Sequence, residues 1–172
     1  MKAIAMPART PRHRGFTLIE MMVTLTVLVI LSMIAVPSFR DASLSSQLRS
    51  SANNFIATAN FARSEAIKRG TAVTMCVSTD GATCAAGGWE QGWIVLSGTT
   101  VLQHKSAAPS GFKVSAVGSV ASLSFQPIGV GATPATLTVC RATPTVGSQE
   151  RVVTLDATGR AWLRVTTNGA CS

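Results

Sequence analysis

Residues 15–20 read Gly-Phe-Thr-Leu-Ile-Glu and stand at a seam between two incompatible compositions. Before the seam, Lys2, Arg9, Arg12 and Arg14 are scattered among Pro and His with no apolar periodicity. After it, residues 16–36 are apolar except for Thr17, Glu20, Thr24, Thr26 and Ser32. At about 1.5 Å per residue such a helix spans roughly 30 Å, enough to cross a bilayer core. The basic flank sets the orientation, with the N-terminus in the cytoplasm and the rest of the chain outside.

A secretory signal is also basic and then apolar, but its cleavage site follows the apolar stretch, where Met33-Ile34-Ala35 is a poor small-residue site. A plain membrane anchor would account for the length. Neither explains Glu20, because a carboxylate near the bilayer centre costs about 2.5–3.5 kcal/mol, and less near the interface.

Gly15 through Glu20 with the hydrophobic helix behind it resembles the class III signal of type IV prepilins and pseudopilins. The resemblance implies that a prepilin peptidase cuts between Gly15 and Phe16 on the cytoplasmic side and methylates the new amino group of Phe16. The apolar segment then stays in the mature protein, a single-pass inner-membrane subunit with its C-terminal domain in the periplasm. It also implies an assembly role for Glu20, whose carboxylate pairs with the α-amino group of Phe16 in a neighbouring subunit. A pair is far cheaper to hold in an apolar core than a lone charge.

Pro37 removes a backbone donor and predicts a kink or local melting of the helix rather than its end. Beyond it Leu44, Leu48, Ala52, Phe55, Ala59, Ala62 and Ala66 recur at steps of three and four, a narrow stripe that needs a surface to pack on. Arg63, Lys68 and Arg69 gather where cations suit the helix dipole, and Gly70 is suited to cap the end. A continuous helix would be about 80 Å long, so half of it belongs to a membrane or a filament core. Short β-like runs follow at 72–77, 92–96, 113–117, 122–126, 136–140, 151–155 and 160–165. The expected fold is α+β and pilin-like: a long N-terminal helix, half membrane and half amphipathic, packed on an antiparallel sheet or sandwich. Its parts are a leader over 1–15, a membrane or filament-core helix over 16–36, an amphipathic half over 37–70 and a β-rich domain over 71–172.

Half of the formal charge of +8 sits in the leader, so the remainder is only mildly basic and does not by itself predict nucleic acid. Cys76, Cys84, Cys140 and Cys171 all lie beyond the apolar run, where an even count suggests an oxidising compartment and two disulfides. Of three connectivities, Cys76 with Cys84 and Cys140 with Cys171 is favoured, the second tying the tail to a strand. No zinc spacing is present, and His104 is read as a surface residue between strands, so neither metal nor cofactor is expected. No nucleophile, paired-carboxylate or phosphate-loop motif is found, so the chain is read as the substrate of an enzyme and not as one.

Residues 88–96, Gly-Trp-Glu-Gln-Gly-Trp-Ile-Val-Leu, resemble the Trp-rich strand segment of the GspH/FimT branch, with 125–129 and 154–160 extending the likeness. Trp89 and Trp93 are read as core residues under a sheet. The resemblance implies a minor pilin or pseudopilin that primes or caps a type IV pilus or a type II secretion pseudopilus. Its implied partners are prepilin peptidase, other minor pilins or pseudopilins, the major subunit, the inner-membrane assembly platform and membrane lipid. One alternative is a GspH-type component of type II secretion specifically.

A second alternative is a DNA-binding minor pilin in natural transformation. By the two-residue strand period Arg160, Trp162 and Arg164 share one face, where guanidinium groups can hold phosphates and an indole can stack a base. DNA-receptor pilins of this branch carry Gly-Arg-x-Arg near this place, and here Trp162 stands in the second arginine's position. Arg141, Arg151, Lys105 and Lys113 would add charge if the fold collected them on one side.

Overall fold

Leu44, Leu48, Ala52, Phe55, Ala59, Ala62 and Ala66 share one side of a helix, and all are buried. The computed structural model describes residues 15–168 and 171, so the expected leader lies, save for Gly15, outside the described residues. Contacts divide the chain between Asp41 and Ala42. The first unit carries the apolar beginning of helix α1 (Leu18–Arg69), and the second carries its remainder and every strand. Residues 33–41 are helical throughout, so Pro37 neither ends nor melts the element. The helix stops where Gly70, at φ 64°, donates its N–H to the Ile67 carbonyl at 3.4 Å.

Among the described residues eight strands follow α1. One antiparallel sheet has the order β3-β2-β1-β5, built from β1 (Val73–Val77), β2 (Trp93–Ser97), β3 (Thr100–Lys105) and β5 (Ser122–Phe125). The other has the order β4-β6-β7-β8, built from β4 (Phe112–Ala116), β6 (Ala135–Arg141), β7 (Glu150–Leu155) and β8 (Ala161–Thr166). Seven strands were expected, and β3 is the addition. It is an edge strand exposed almost throughout, so solvent on both faces erases the apolar alternation that marks the others. Gly98, at φ 59°, opens the two-residue loop that folds it back on β2. A bulge opposite Val95 and Leu96 accompanies Leu102, the β3 residue that packs against the core. His104 therefore lies within β3, paired with Ile94, and not between strands.

Both sheets and the helical stripe contribute to one core. Four of the stripe residues are Ala, which lets the helix backbone approach closely, and Phe55 fills the space this leaves. Its ring meets Trp89 edge-on at 5.2 Å and Trp93 at 5.6 Å between centroids. Both indole N–H groups are satisfied, Trp89 donating to the Val120 carbonyl at 2.7 Å and Trp93 to the Thr58 hydroxyl at 3.3 Å. Trp89 reaches this position from a single 3-10 turn, Trp89–Gln91, and not from a strand. The turn is followed by Gly92, at φ 104°, where a Cβ would stand 2.6 Å from the Lys105 carbonyl oxygen.

The disulfides join Cys76 to Cys84 and Cys140 to Cys171. Inside the first loop Asp80 accepts from the Thr83 and Ala82 N–H groups, both at 2.8 Å, and from the Thr83 and Ser78 hydroxyls. These bonds, the Thr83 N–H foremost, hold its carboxyl well below the usual carboxylate range. A depressed pKa contributes stability that is present above the unfolded value of about 3.9 and is lost as pH falls through the folded value.

Two outcomes are expected. Phe55→Ala lowers stability by about 3–5 kcal/mol, read as a shift in the denaturant midpoint of Trp fluorescence. Asp80→Asn flattens the loss of stability between pH 4 and pH 2 relative to the wild type, measured as melting temperature against pH.

Candidate functional site

Residues 15–17 are not helical, and α1 begins at Leu18, which makes Thr17 its N-cap. The Thr17 hydroxyl accepts from the Glu20 N–H at 3.3 Å, and the Glu20 carboxylate accepts from the Thr17 N–H at 3.5 Å. This reciprocal pair is a capping box, legible in the sequence as Thr-x-x-Glu ahead of an apolar run. The capping box gives Glu20 a local role beside the assembly role that the resemblance implies.

The other polar groups of the segment are satisfied internally. Thr24, Thr26 and Ser32 donate their hydroxyls to the carbonyls of Met21, Met22 and Leu28 at 2.7–3.0 Å. Glu20 stands apart, since one long bond leaves most of its acceptor capacity unused. Around it the helix is bare: Phe16 is 80% exposed, and an 18-residue window of mean hydropathy 2.4 has no residue buried. A side chain at Gly15 would meet nothing in the chain within 4 Å, so the fold does not demand glycine there.

The second candidate surface is β8. The turn before it is organised by Asp156, whose carboxylate accepts from the Thr158 hydroxyl at 2.6 Å and from the N–H groups of Thr158 and Arg160 at 2.9 and 3.0 Å. The Thr158 hydroxyl and then the Arg160 N–H hold that carboxyl below its ordinary range. Arg160 ends the turn and is exposed. On the strand, Trp162 is 43% exposed and Arg164 is exposed, while Ala161 and Leu163 pack on the core.

The other basic residues do not join them. Arg151 is buried on the side of β7 toward α1, where it donates to Ser45. Arg141 donates to the Thr145 carbonyl. Lys105 lies on β3 of the other sheet, and Lys113 lies on β4, at the opposite edge from β8. Strand order separates these cations, since they fall on different strands and on both sheets. Among the described residues no group of His, Cys, Asp and Glu is placed to hold a metal ion.

Comparison with known proteins finds family models that match the start of α1 and most of the β domain up to the turn before β8. The family model described as type II transport protein GspH matches residues 51–159, and a prokaryotic N-terminal methylation motif matches residues 10–36. No relative is matched among curated proteins. Among solved structures the chain is similar to the type IV minor pilin FimU of Pseudomonas aeruginosa in two crystal forms. One is 22% identical over 70% of this chain and 90% of that one, with a TM-score of 0.56. The other is 22% identical over 68% and 92%, with a TM-score of 0.54. The minor pseudopilin EpsH from the type 2 secretion system of Vibrio cholerae follows at 20% identity over 72% and 98%, with a TM-score of 0.49. The FimU likeness shows a shared fold, a long N-terminal helix on antiparallel sheets. The family model spans well over half of the chain, and the protein therefore belongs to the GspH family of minor pilins and pseudopilins.

Proposed function

We propose that this protein is a processed, membrane-inserted minor subunit that joins other pilins through the beginning of α1 to prime or cap a short filament. The observation that carries the proposal is Glu20, the one charged side chain among residues 16–36 of the exposed apolar stretch, with its carboxylate mostly unsatisfied. In the membrane or a filament core such a group needs a cation, and cleavage after Gly15 would create one, the methylated amino group of Phe16. The freedom around Gly15 supports a requirement imposed by a processing enzyme and not by the fold. In this reading prepilin peptidase acts on the cytoplasmic side, the apolar segment spans the inner membrane beside lipid, and the β domain lies in the periplasm. There it contacts other minor subunits, the major subunit and the assembly platform. The chain is a structural component and carries out no catalysis.

The filament is a type IV pilus or a type II secretion pseudopilus, and one set of variants separates the roles. Gly15→Phe leaves the leader attached, seen as a heavier membrane-bound chain by mass spectrometry. Glu20→Gln keeps the capping box, because Gln serves at that position, yet removes the charge. It is expected to be processed normally and to fail in assembly. The output that falls identifies the machine: surface pili and twitching for a pilus, exoprotein release for secretion. Normal processing of Gly15→Phe would overturn the class of signal, and normal assembly of Glu20→Gln would overturn the pairing.

A second reading is favoured by one observation, the exposure of Trp162 and Arg164 on one side of an edge strand with Arg160 ahead of them. This is the combination of stacking surface and phosphate contacts used by single-strand binders, and it would make the subunit a DNA contact in uptake. Purified protein is then expected to retard single-stranded DNA in a salt-dependent manner, with Trp162→Ala weakening binding by about 1–3 kcal/mol. Equal retardation by an Arg160→Ala, Arg164→Ala double variant would discard this reading.

A further inference from the structure

Trp93 and Lys105 are directly opposed on β2 and β3, so their side chains rise from the same face of the sheet, the face that meets α1. Trp93 is spent on the core, its ring against Phe55 and its N–H on Thr58. Lys105 stands one strand further out, on the edge strand, and is exposed. Between it and α1 lies a cleft of about 350 Å³. Gln47, Ser50, Ser51 and Asn54, at steps of three and four on the helix, form one wall. The chain from Lys105 to Pro109 forms the other. Backbone contacts fix that second wall: Ala108 donates its N–H to the Glu90 carbonyl at 2.8 Å, and Phe112 donates to the Pro109 carbonyl at 3.2 Å.

The polar groups lining the cleft have few partners inside the chain. The Gln47 amide donates to the Ser43 hydroxyl at 3.4 Å. Among the described residues the Lys105 ammonium, the Asn54 amide and the hydroxyls of Ser50, Ser51 and Ser106 take part in no hydrogen bond or ion pair. No lining residue is acidic. The carboxylates beyond Asp41 are engaged elsewhere: Glu65 with Lys68 and Arg69, Asp80 and Asp156 within their own turns, and Glu90 with the Val114 N–H. Glu150 is buried in the other sheet, where it accepts from Thr166. The cleft is therefore positive and rich in donors, and its size suits one acidic side chain with the residues beside it.

We propose that this cleft receives an Asp or Glu side chain of an adjacent pilin subunit, which pairs with Lys105 and accepts from Asn54 and Ser51. The inference rests on the reading of the chain as a filament subunit and deepens it by naming a contact for the β domain. Charge chooses an anionic occupant, and a wall made of α1, the element through which subunits join, places that occupant on a neighbouring subunit. A pair held in a cleft is screened less than one on open surface, so it selects a neighbour that presents an acid at this place. Lysine on an edge strand also keeps other strands from adding to it. That role needs no cleft, and the test separates the two.

The test is carbodiimide coupling, which joins a lysine amine to a carboxylate in direct contact, applied to the full chain in its native membrane. An independent reporter of filament contact is the photo-crosslinking residue p-benzoylphenylalanine at Leu25 in the apolar segment. The expected product is an amide between Lys105 and an Asp or Glu of another pilin, identified by mass spectrometry of the linked peptides. Ser50→Trp, at an exposed position, fills the cleft and leaves Lys105 in place. It lowers the yield about tenfold or more, as loss of a close charge pair does, while the Leu25 adduct is unchanged. Lys105→Glu abolishes the amide, and replacing the captured carboxylate by Lys restores it with the two roles exchanged. An undiminished amide in Ser50→Trp, coupling of Lys105 only to this chain or to proteins other than pilins, or a Leu25 adduct with a pilin and none from Lys105 would overturn the site and leave the filament reading standing. Absence of pilin adducts at both positions would overturn the filament reading and the site with it.

Discussion

The contact of Phe55 with Trp89 and Trp93 is the interaction on which the β domain depends. One phenyl ring presses edge-on into two indoles that arrive from a 3-10 turn and from β2, so helix and sheet are joined at a point where neither alone has a core. The alanines above and below it permit the approach, and the Thr58 and Val120 oxygens remove the cost of burying two indole N–H groups. Trp89 and Trp93 are themselves 6.5 Å apart, which makes the group a cluster and not two separate contacts. The same helix has no comparable cover before Asp41, where its apolar residues stand exposed. One element is thus half core and half uncovered surface.

Charge falls into two kinds in this chain. Asp80 and Asp156 are saturated by their own loops, with backbone N–H groups and hydroxyls filling their oxygens, so they shape turns and need no partner. Glu20 and Arg151 are the opposite case, each in apolar or buried surroundings with bonding capacity left over. Their signs differ and they belong to different units.

The helical stripe was legible because its period survives any packing partner: residues three and four apart share a face whatever covers it. Gly70 as the helix end was legible for a similar reason, since positive φ is a local demand. The strand β3 was not, because an edge strand wet on both faces has no alternation to read. Trp89, read as a core residue under a sheet, is buried as expected, but that it reaches the core from a 3-10 turn ending at Gly92, beside the Lys105 carbonyl, depends on contacts across the fold. The capping box at Thr17 is written in the letters as Thr-x-x-Glu ahead of an apolar run, a local signal that needs no tertiary contact.

The basic residues show most directly where sequence reading ends. Arg160, Trp162 and Arg164 are close in the chain, and the strand period was enough to bring Trp162 and Arg164 to one exposed side. Arg141, Arg151, Lys105 and Lys113 are far apart, and only strand order and register decide that they scatter, with Arg151 turned inward beside α1. The sequence by itself determined the apolar helix, the processing motif, the amphipathic stripe and most of the strands, because each is written in short-range periodicity or in a compact motif. Tertiary structure decided which aromatics meet, which cysteines bond and which arginine is buried, because these depend on contacts between residues tens of positions apart, and side-chain chemistry alone does not specify which of them pack together.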